Sequence, residues 1–166
     1  LEIIVENLIK ILNKIQYPSK KLLILDCDNT LWGGVIGEDG INSIRLGQDG
    51  EGKAFADFQK TIKSISDQGV LLAICSKNNE KDVMEVFNKH KAMQIKKKDI
   101  INFKINWEEK SLNIKKIANE LDLGLQSFVF WDDNPFERGK VKQNLPEVLT
   151  IDPSEDISYW PEQLKG

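Results

Sequence analysis

Three short runs of uninterrupted apolar residues, Leu22 to Leu25, Val70 to Cys75 and Phe128 to Trp131, constrain this chain more than any other feature. A strand with one face in water alternates apolar and polar side chains, whereas an unbroken run is covered on both faces. Between the runs lie stretches with helical spacing. Glu51 to Asp67 sets Phe55, Phe58, Ile62 and Ile65 on one face and stops at Gly69. Glu80 to Lys91 is a second helix, and Glu108 to Leu121, with Leu112, Ile114, Ile117 and Leu121 apolar, is a third. A more polar strand is expected at Ile100 to Phe103, and a short one at Val148 to Ile151. Strands alternating with helices imply crossover connections, and those give a parallel sheet. The expected fold is α/β, a three-layer Rossmann-like parallel sheet with helices on both faces.

The remaining segments are shorter. Residues 1–20 read as an N-terminal helix, with Ile4, Leu8, Ile11, Leu12 and Ile15 at helical spacing and Pro18 as its end. Residues 33–50 hold six glycines with Val35, Ile36, Ile41 and Ile44 among them, which predicts a short hairpin-like flap. Pro146 precedes the C-terminal tail, residues 152–166, and with Pro153 and Pro161 breaks this end of the chain into short pieces. With 166 residues and no repeat or linker, the expectation is one domain, 1–166. The chain begins at Leu1 rather than Met, and we read it as a domain cut from something longer.

Charge and composition exclude several classes. Twenty-three basic residues against 26 acidic ones, a formal charge of -3, argue against nucleic-acid binding. The apolar runs fall far short of the roughly 20 residues that span a bilayer, so no membrane partner is expected. Two cysteines, Cys27 and Cys75, are too few for a disulfide framework and suggest a reducing compartment, the cytoplasm. The single histidine, His90, rules out a mechanism that needs two.

Ligands of open parallel sheets bind beyond the carboxyl ends of the strands, so the residues just after each apolar run matter most. The first run leads into Asp26, Cys27, Asp28, Asn29 and Thr30, and the second strand into Ser76, Lys77 and Asn78. Asn106 to Ser111, including Lys110, precedes the third helix, and Asp132, Asp133, Asn134 and Pro135 come after the fourth strand. Four polar clusters therefore converge on one edge of one sheet. Carboxylates this crowded repel one another unless a cation sits among them. An all-oxygen ligand set suits Mg²⁺, which takes one or two carboxylates and a substrate phosphate. Hydroxyls, a lysine and helix N-terminal amides complete a site for phosphoryl transfer. Taken singly, Asp28-Asn29-Thr30 also suits a turn, Ser76 a cap, and Asn134-Pro135 the start of a helix.

Together these residues resemble the four motifs of the haloacid dehalogenase-like superfamily. Asp26-Cys27-Asp28-Asn29-Thr30 matches the first motif, Ser76 the second, Lys110 the third and Asp132-Asp133 the fourth. The resemblance implies Asp26 as nucleophile, Asp28 as general acid/base, and Ser76 and Lys110 as phosphate and charge stabilisers, with Lys77, Asn78 and Thr30 beside the phosphate. It places Mg²⁺ on Asp26, the backbone carbonyl of Asp28 and the fourth motif, with Asp133 favoured over Asp132. The stretches LDCDNTLWGGVIGEDG, LLAICSKNNEKDV, NWEEKSLNI and FVFWDDNPFERGKV are similar to the FkbH-like family of polyketide biosynthesis. That likeness implies an enzyme taking a three-carbon unit from 1,3-bisphosphoglycerate, removing its phosphate and loading glyceryl onto an acyl carrier protein. A stand-alone small-molecule phosphomonoester phosphatase is the alternative. The likeness also makes Cys27 the first choice for an acyl-carrying nucleophile, although strand alternation points it away from Asp26 and Asp28. Nothing of cap size lies between the motifs, so an open site is expected.

Overall fold

The computed structural model describes residues 1–8 and 20–166. Five strands, β1 (Leu22–Leu25), β2 (Leu71–Ser76), β3 (Ile100–Ile105), β4 (Phe128–Trp131) and β5 (Leu149–Ile151), form one sheet in the order β3-β2-β1-β4-β5. Every neighbouring pair is parallel. The chain fills one side of β1 with β2 and β3, then crosses to the other side for β4 and β5. The order therefore reverses between β1 and β4, where such sheets open a crevice at their carboxyl ends.

Alternation along the strands divides the core in two. Leu23, Leu25, Leu72, Ile74 and Trp131 face one layer, where they meet Phe55, Phe58 and Ile62 of α2 (Gly50–Asp67) and Val83, Val86 and Phe87 of α3 (Glu80–Lys89). Leu22, Ile24, Ala73, Cys75, Phe128 and Phe130 face the other, against Ile114 and Ile117 of α4 (Lys110–Leu121) and Val141 of α5 (Pro135–Asn144). Both faces of β1 are fully buried, as its unbroken apolar run requires.

Several expectations need adjustment. The N-terminal helix is present over residues 2–8, and the rest of its expected span, with Ile11, Leu12 and Ile15, lies outside the described residues. The flap is held by a single antiparallel bridge, Gly33 to Arg45, around a one-turn helix, α1 (Ile36–Asp39), rather than by a hairpin. Ile36, Ile44 and Leu46 are buried, so the flap is seated on the core. Gly34 has φ +96 there, and a Cβ would lie 2.6 Å from Asp39 Oδ2, so that position requires glycine. In α4, Leu112 is half exposed, and Asn113 takes its place on the inner face beside Ile114. Helix α5 is not predicted in full by the residue pattern, because only Glu137 and Val141 of its ten residues are buried and the apolar periodicity is faint. Its start is nonetheless written locally: Asn134 accepts the Phe136 amide at 2.9 Å, and Pro135 opens the first turn.

The tail folds back onto the α2 layer. After a turn at Ile157–Tyr159, α6 (Trp160–Lys165) buries Trp160 against Phe55, Phe58 and Trp131, with ring centroids 6.0, 5.1 and 5.6 Å away. The indole N–H donates to the Ser154 carbonyl at 2.7 Å. Trp160→Ala should cost about 3–5 kcal/mol of folding stability, read as a lowered urea midpoint with an unchanged slope. A shift below about 1 kcal/mol would show the tail to be a loose appendage.

Candidate active site

The site begins with backbone pairing. The Asp26 amide donates to the Trp131 carbonyl at 3.1 Å, which extends the β1–β4 ladder by one residue and sets Asp26 beside Asp132. The third contributor arrives from the far side of β2. The Asn106 amide bonds the Ser76 carbonyl at 3.2 Å, and the side chains of Asn106 and Asn113 exchange hydrogen bonds at 2.8 and 3.3 Å. These contacts fix the loop before α4 and aim its first residue, Lys110, at the carboxylates. Its Nζ lies 3.0 Å from Asp26 Oδ1 and 2.5 Å from Asp132 Oδ2, with all three side chains buried.

One oxygen each from Asp26, Asp132 and Asp133 falls within 4.8 Å of the others. Burial, followed by the charge of Asp26, pushes Asp132 up to about 6. The same causes, with a hydrogen bond to Asp26 added, push Asp133 up to about 8. Burial alone would lower Lys110; the two carboxylates outweigh it and hold the ammonium charged. Three crowded oxygen donors with one ammonium among them fit a hard divalent cation, which would relieve their repulsion. Asp132 is already engaged on both oxygens, by Lys110 and by the Asn134 amide at 2.9 Å. Asp133 lies against the Asp26 carboxylate and takes one long contact from a donor, the Thr30 hydroxyl at 3.3 Å.

The other expected residues have distinct places. Asp28 keeps its carboxylate outside the acidic cluster: Oδ1 accepts from Trp32 Nε1 at 3.0 Å and the Ile36 amide at 2.9 Å, and Oδ2 accepts from Asn78 Nδ2 at 2.8 Å. Asn78 is thus a support for Asp28 rather than a free phosphate ligand, and Ser76, nearly buried, contacts the same amide at 3.4 Å. Thr30 is fully buried and spans Asp26 and Asp133, at 3.4 and 3.3 Å. Lys77 reaches Glu137 at 3.0 Å and stands 3.8 Å from Glu109. Cys27 requires correction as an acyl carrier. It is fully buried in the α2 layer, and burial, then the charges of Asp26 and Asp28, push its thiol well above the ordinary range. Cys75, pushed up to about 12 by burial, is a core residue as expected.

A cavity of about 270 Å³ opens over these groups, walled by Asp26, Asp28, Lys77, Lys110, Asp133 and Glu137 among others, with Val35 as its one apolar side chain. A larger cavity, about 640 Å³, lies near the amino ends of β1, β4 and β5 and has mostly apolar and amide walls, so it offers none of this chemistry. Sequence reading missed Glu137 and Trp32, and placed Asn29 in the first motif without a role; its φ is +57 and its side chain accepts the Gly34 amide at 2.8 Å. Trp32 lies four residues from Asp28, a spacing that could have revealed it. Arg138 neither faces the cavity nor caps a helix end. Its Nη1 donates to the carbonyls of Asp132 and Asp133, at 3.0 and 2.9 Å, and Nε pairs with Asp152 at 3.1 Å. It braces the acidic loop from behind.

No family model and no curated protein matches the chain. Solved structures do. The N-terminal part of a Bacteroides fragilis protein, containing a phosphatase domain and complexed with Mg, is 44% identical, with a TM-score of 0.90 over 98% of this chain. This chain spans only 44% of that one. A haloacid dehalogenase family enzyme of Bacteroides thetaiotaomicron, in complex with magnesium and inorganic phosphate, is 16% identical at TM-score 0.57, covering 85% of this chain and 98% of that one. A haloacid dehalogenase-like family hydrolase of Xanthomonas campestris is 11% identical at TM-score 0.59, covering 89% and 91%. The chain has the haloacid dehalogenase-like fold, and among the described residues there is no large cap. Among the described residues, no helix is long and apolar enough to cross a membrane.

The crowding of carboxylates has a measurable sign. A folded aspartate with a raised value binds more protons than the unfolded one, so it lowers stability as pH climbs from 3.8 through about 8 for Asp133, and through about 6 for Asp132. The metal-free melting temperature should fall across that interval. A divalent cation should restore it, and Asp133→Asn should flatten the upper part. A metal-free melting profile that is level, or rises, would contradict this account of the cluster.

Proposed function

We propose that this chain is a Mg²⁺-dependent phosphomonoester hydrolase with Asp26 as its nucleophile. The observation that carries the reading is the meeting of Asp26, Asp132 and Asp133, with one oxygen each within 4.8 Å of the others, and of Lys110, which bonds Asp26 and Asp132, at the carboxyl ends of β1 and β4. The relative complexed with Mg, 44% identical, supports the choice of cation. Asp26, Asp133 and Asp132 are the residues that would hold it. When bound, Mg²⁺ supplies charge neutralisation that lets an anionic carboxylate approach an anionic phosphate.

The chain's own groups divide the work. A carboxylate oxygen of Asp26 attacks phosphorus, and the bond from phosphorus to the leaving oxygen breaks. Asp28 hands a proton to that oxygen; its Oδ2, held by Asn78 alone, is the less encumbered of its two oxygens. Water then attacks the aspartyl-phosphate, losing its proton to Asp28, and phosphate leaves with Asp26 restored. Lys110 stays charged throughout and offsets the negative charge that builds on the equatorial oxygens. The resemblance gives Ser76 and Lys77 to the phosphate: Lys77 lines the cavity, and Ser76, buried, contacts Asn78 beside it.

A second reading is the glyceryl transfer implied by the FkbH-like resemblance, from 1,3-bisphosphoglycerate to an acyl carrier protein. The uncapped site favours it, since a substrate tethered to a carrier needs an open approach. Buried Cys27 does not, and transfer would run straight from the acyl phosphate to the carrier thiol, which loses its proton as the acyl-bound phosphate leaves, while the remaining 3-phosphate is removed by the Asp26-centred hydrolysis above.

With p-nitrophenyl phosphate and Mg²⁺, Asp26→Asn should lower phosphate release at least about a thousandfold, with circular dichroism unchanged. Release that survives this substitution, or survives chelation of the metal, overturns the first reading. For the second, intact mass of an acyl carrier protein incubated with 1,3-bisphosphoglycerate should rise by a glyceryl group. Phosphate release without that gain removes the transfer step alone.

A further inference from the structure

Asp28 is bonded unevenly, and a buried indole is the cause. A carboxylate offers about four lone-pair positions, two on each oxygen. On Oδ1 both are taken, by Trp32 Nε1 at 3.0 Å and by the Ile36 amide at 2.9 Å. On Oδ2 one is taken, by Asn78 Nδ2 at 2.8 Å. The Asn78 side chain is oriented in turn, since its own Oδ1 accepts the Asn79 amide at 3.2 Å. That leaves a single position, on Oδ2, and Asp28 lines the cavity. A proton carried by Asp28 has one place to sit.

Backbone pairing fixes the indole where it is. The amides of Thr30 and Leu31 both return to the Cys27 carbonyl, at 3.0 and 2.9 Å, and this curl brings residue 32 back over residue 28. Gly33 then exchanges two backbone bonds with Arg45, at 2.9 and 2.8 Å. Gln59, fully buried in α2, donates to the Leu31 carbonyl at 2.6 Å and accepts the amides of Gln94 and Ile95 at 2.9 and 3.2 Å. Trp32 itself is fully buried in the α2 layer. An indole N–H in a core seeks an acceptor. Trp160 finds a backbone carbonyl, whereas Trp32 finds the carboxylate that trades protons.

We propose that Trp32 is a positioning residue for the acid–base step: with the Ile36 amide it fills Oδ1 and confines the transferable proton of Asp28 to Oδ2. This rests on the hydrolase reading above and adds a residue to it. As Asp26 bonds phosphorus, the Oδ2 proton passes to the oxygen that leaves. When water attacks the aspartyl-phosphate, the same Oδ2 takes a proton back. Without the indole N–H a second position opens, on Oδ1 and toward the core, where a proton reaches no substrate.

The leaving group reads this out. A poor leaving group depends on the proton and a good one departs without it, whereas a purely structural loss slows both alike. p-Nitrophenyl phosphate and p-nitrobenzyl phosphate differ by one methylene, yet only the first expels a stable anion. Their kcat/KM values extend to expulsion of the leaving group, so hydrolysis of the aspartyl-phosphate does not enter. With Mg²⁺ present, Trp32→Phe should raise the nitrophenyl-to-nitrobenzyl ratio of kcat/KM about tenfold over wild type. Asp28→Asn, which removes the acid itself, should raise it about a hundredfold or more. If Trp32→Phe fails to fold, benzothienylalanine at position 32 keeps the shape of the indole without its N–H and should give the same rise. An unchanged ratio in whichever of the two folds, beside a raised ratio in Asp28→Asn, overturns the proposal and leaves the hydrolase reading standing. An unchanged ratio in Asp28→Asn removes Asp28 as the acid, and the proposal with it. Absence of Mg²⁺-dependent turnover of both esters by the wild-type chain overturns the hydrolase reading itself.

Discussion

The buried ammonium of Lys110 is the interaction on which the site depends. It bridges Asp26 from the end of β1 and Asp132 from the end of β4, and it arrives from a helix that comes after β3. Three segments remote in sequence are thereby fixed at one point. Removing one partner from such a buried group typically costs about 3–5 kcal/mol, because a charge is left without compensation. The cluster is still not at rest, since Asp132 and Asp133 remain pushed up by burial and by Asp26. Lys110 supplies one positive charge where three carboxylates meet, enough to hold the loops together and too little to neutralise them. A divalent cation completes the balance, so the same electrostatics that strain the cluster make it selective for one.

Around that centre the fold supplies rigid supports. Thr30 ties Asp26 to Asp133, the paired amides of Asn106 and Asn113 set the start of α4, and Arg138 grips two successive carbonyls of the acidic loop. None of these side chains needs to touch a substrate. Each removes freedom from one that does, which is how a site on loops gains the precision of one on strands. Asp152, at the start of the tail, pairs with Arg138, so the tail helps brace the acidic loop in addition to covering the α2 layer with Trp160.

Much of this was legible in the residues themselves. Unbroken apolar runs marked β1 and β4, because strands buried on both faces leave no room for alternation. The polar clusters after them marked the site, since a parallel sheet brings strand ends to one edge. What sequence could not convey was which polar atom would be spent on which neighbour. Thr30 and Asn78, given to the phosphate by the resemblance, are found bonded to carboxylates, a matter of a few ångströms that only the packed chain decides. Helix α5 was faint because its inner face needs only Val141 and a buried glutamate. Leu112 misled for the opposite reason: an apolar residue at helical spacing lies half exposed while Asn113 turns inward to its amide partner.

The bond from the Ile36 amide to Asp28 has a dynamic consequence. That amide belongs to the flap, and it shares Oδ1 with the indole of Trp32. The posture of the flap and the hydrogen bonding of Asp28, the proposed acid–base group, are therefore one variable. A flap that lifts strips a donor from the carboxylate, and a flap that settles returns it. Exchange of the Ile36 amide hydrogen with deuterated solvent thus reads, at a single backbone position, how often Asp28 loses that donor.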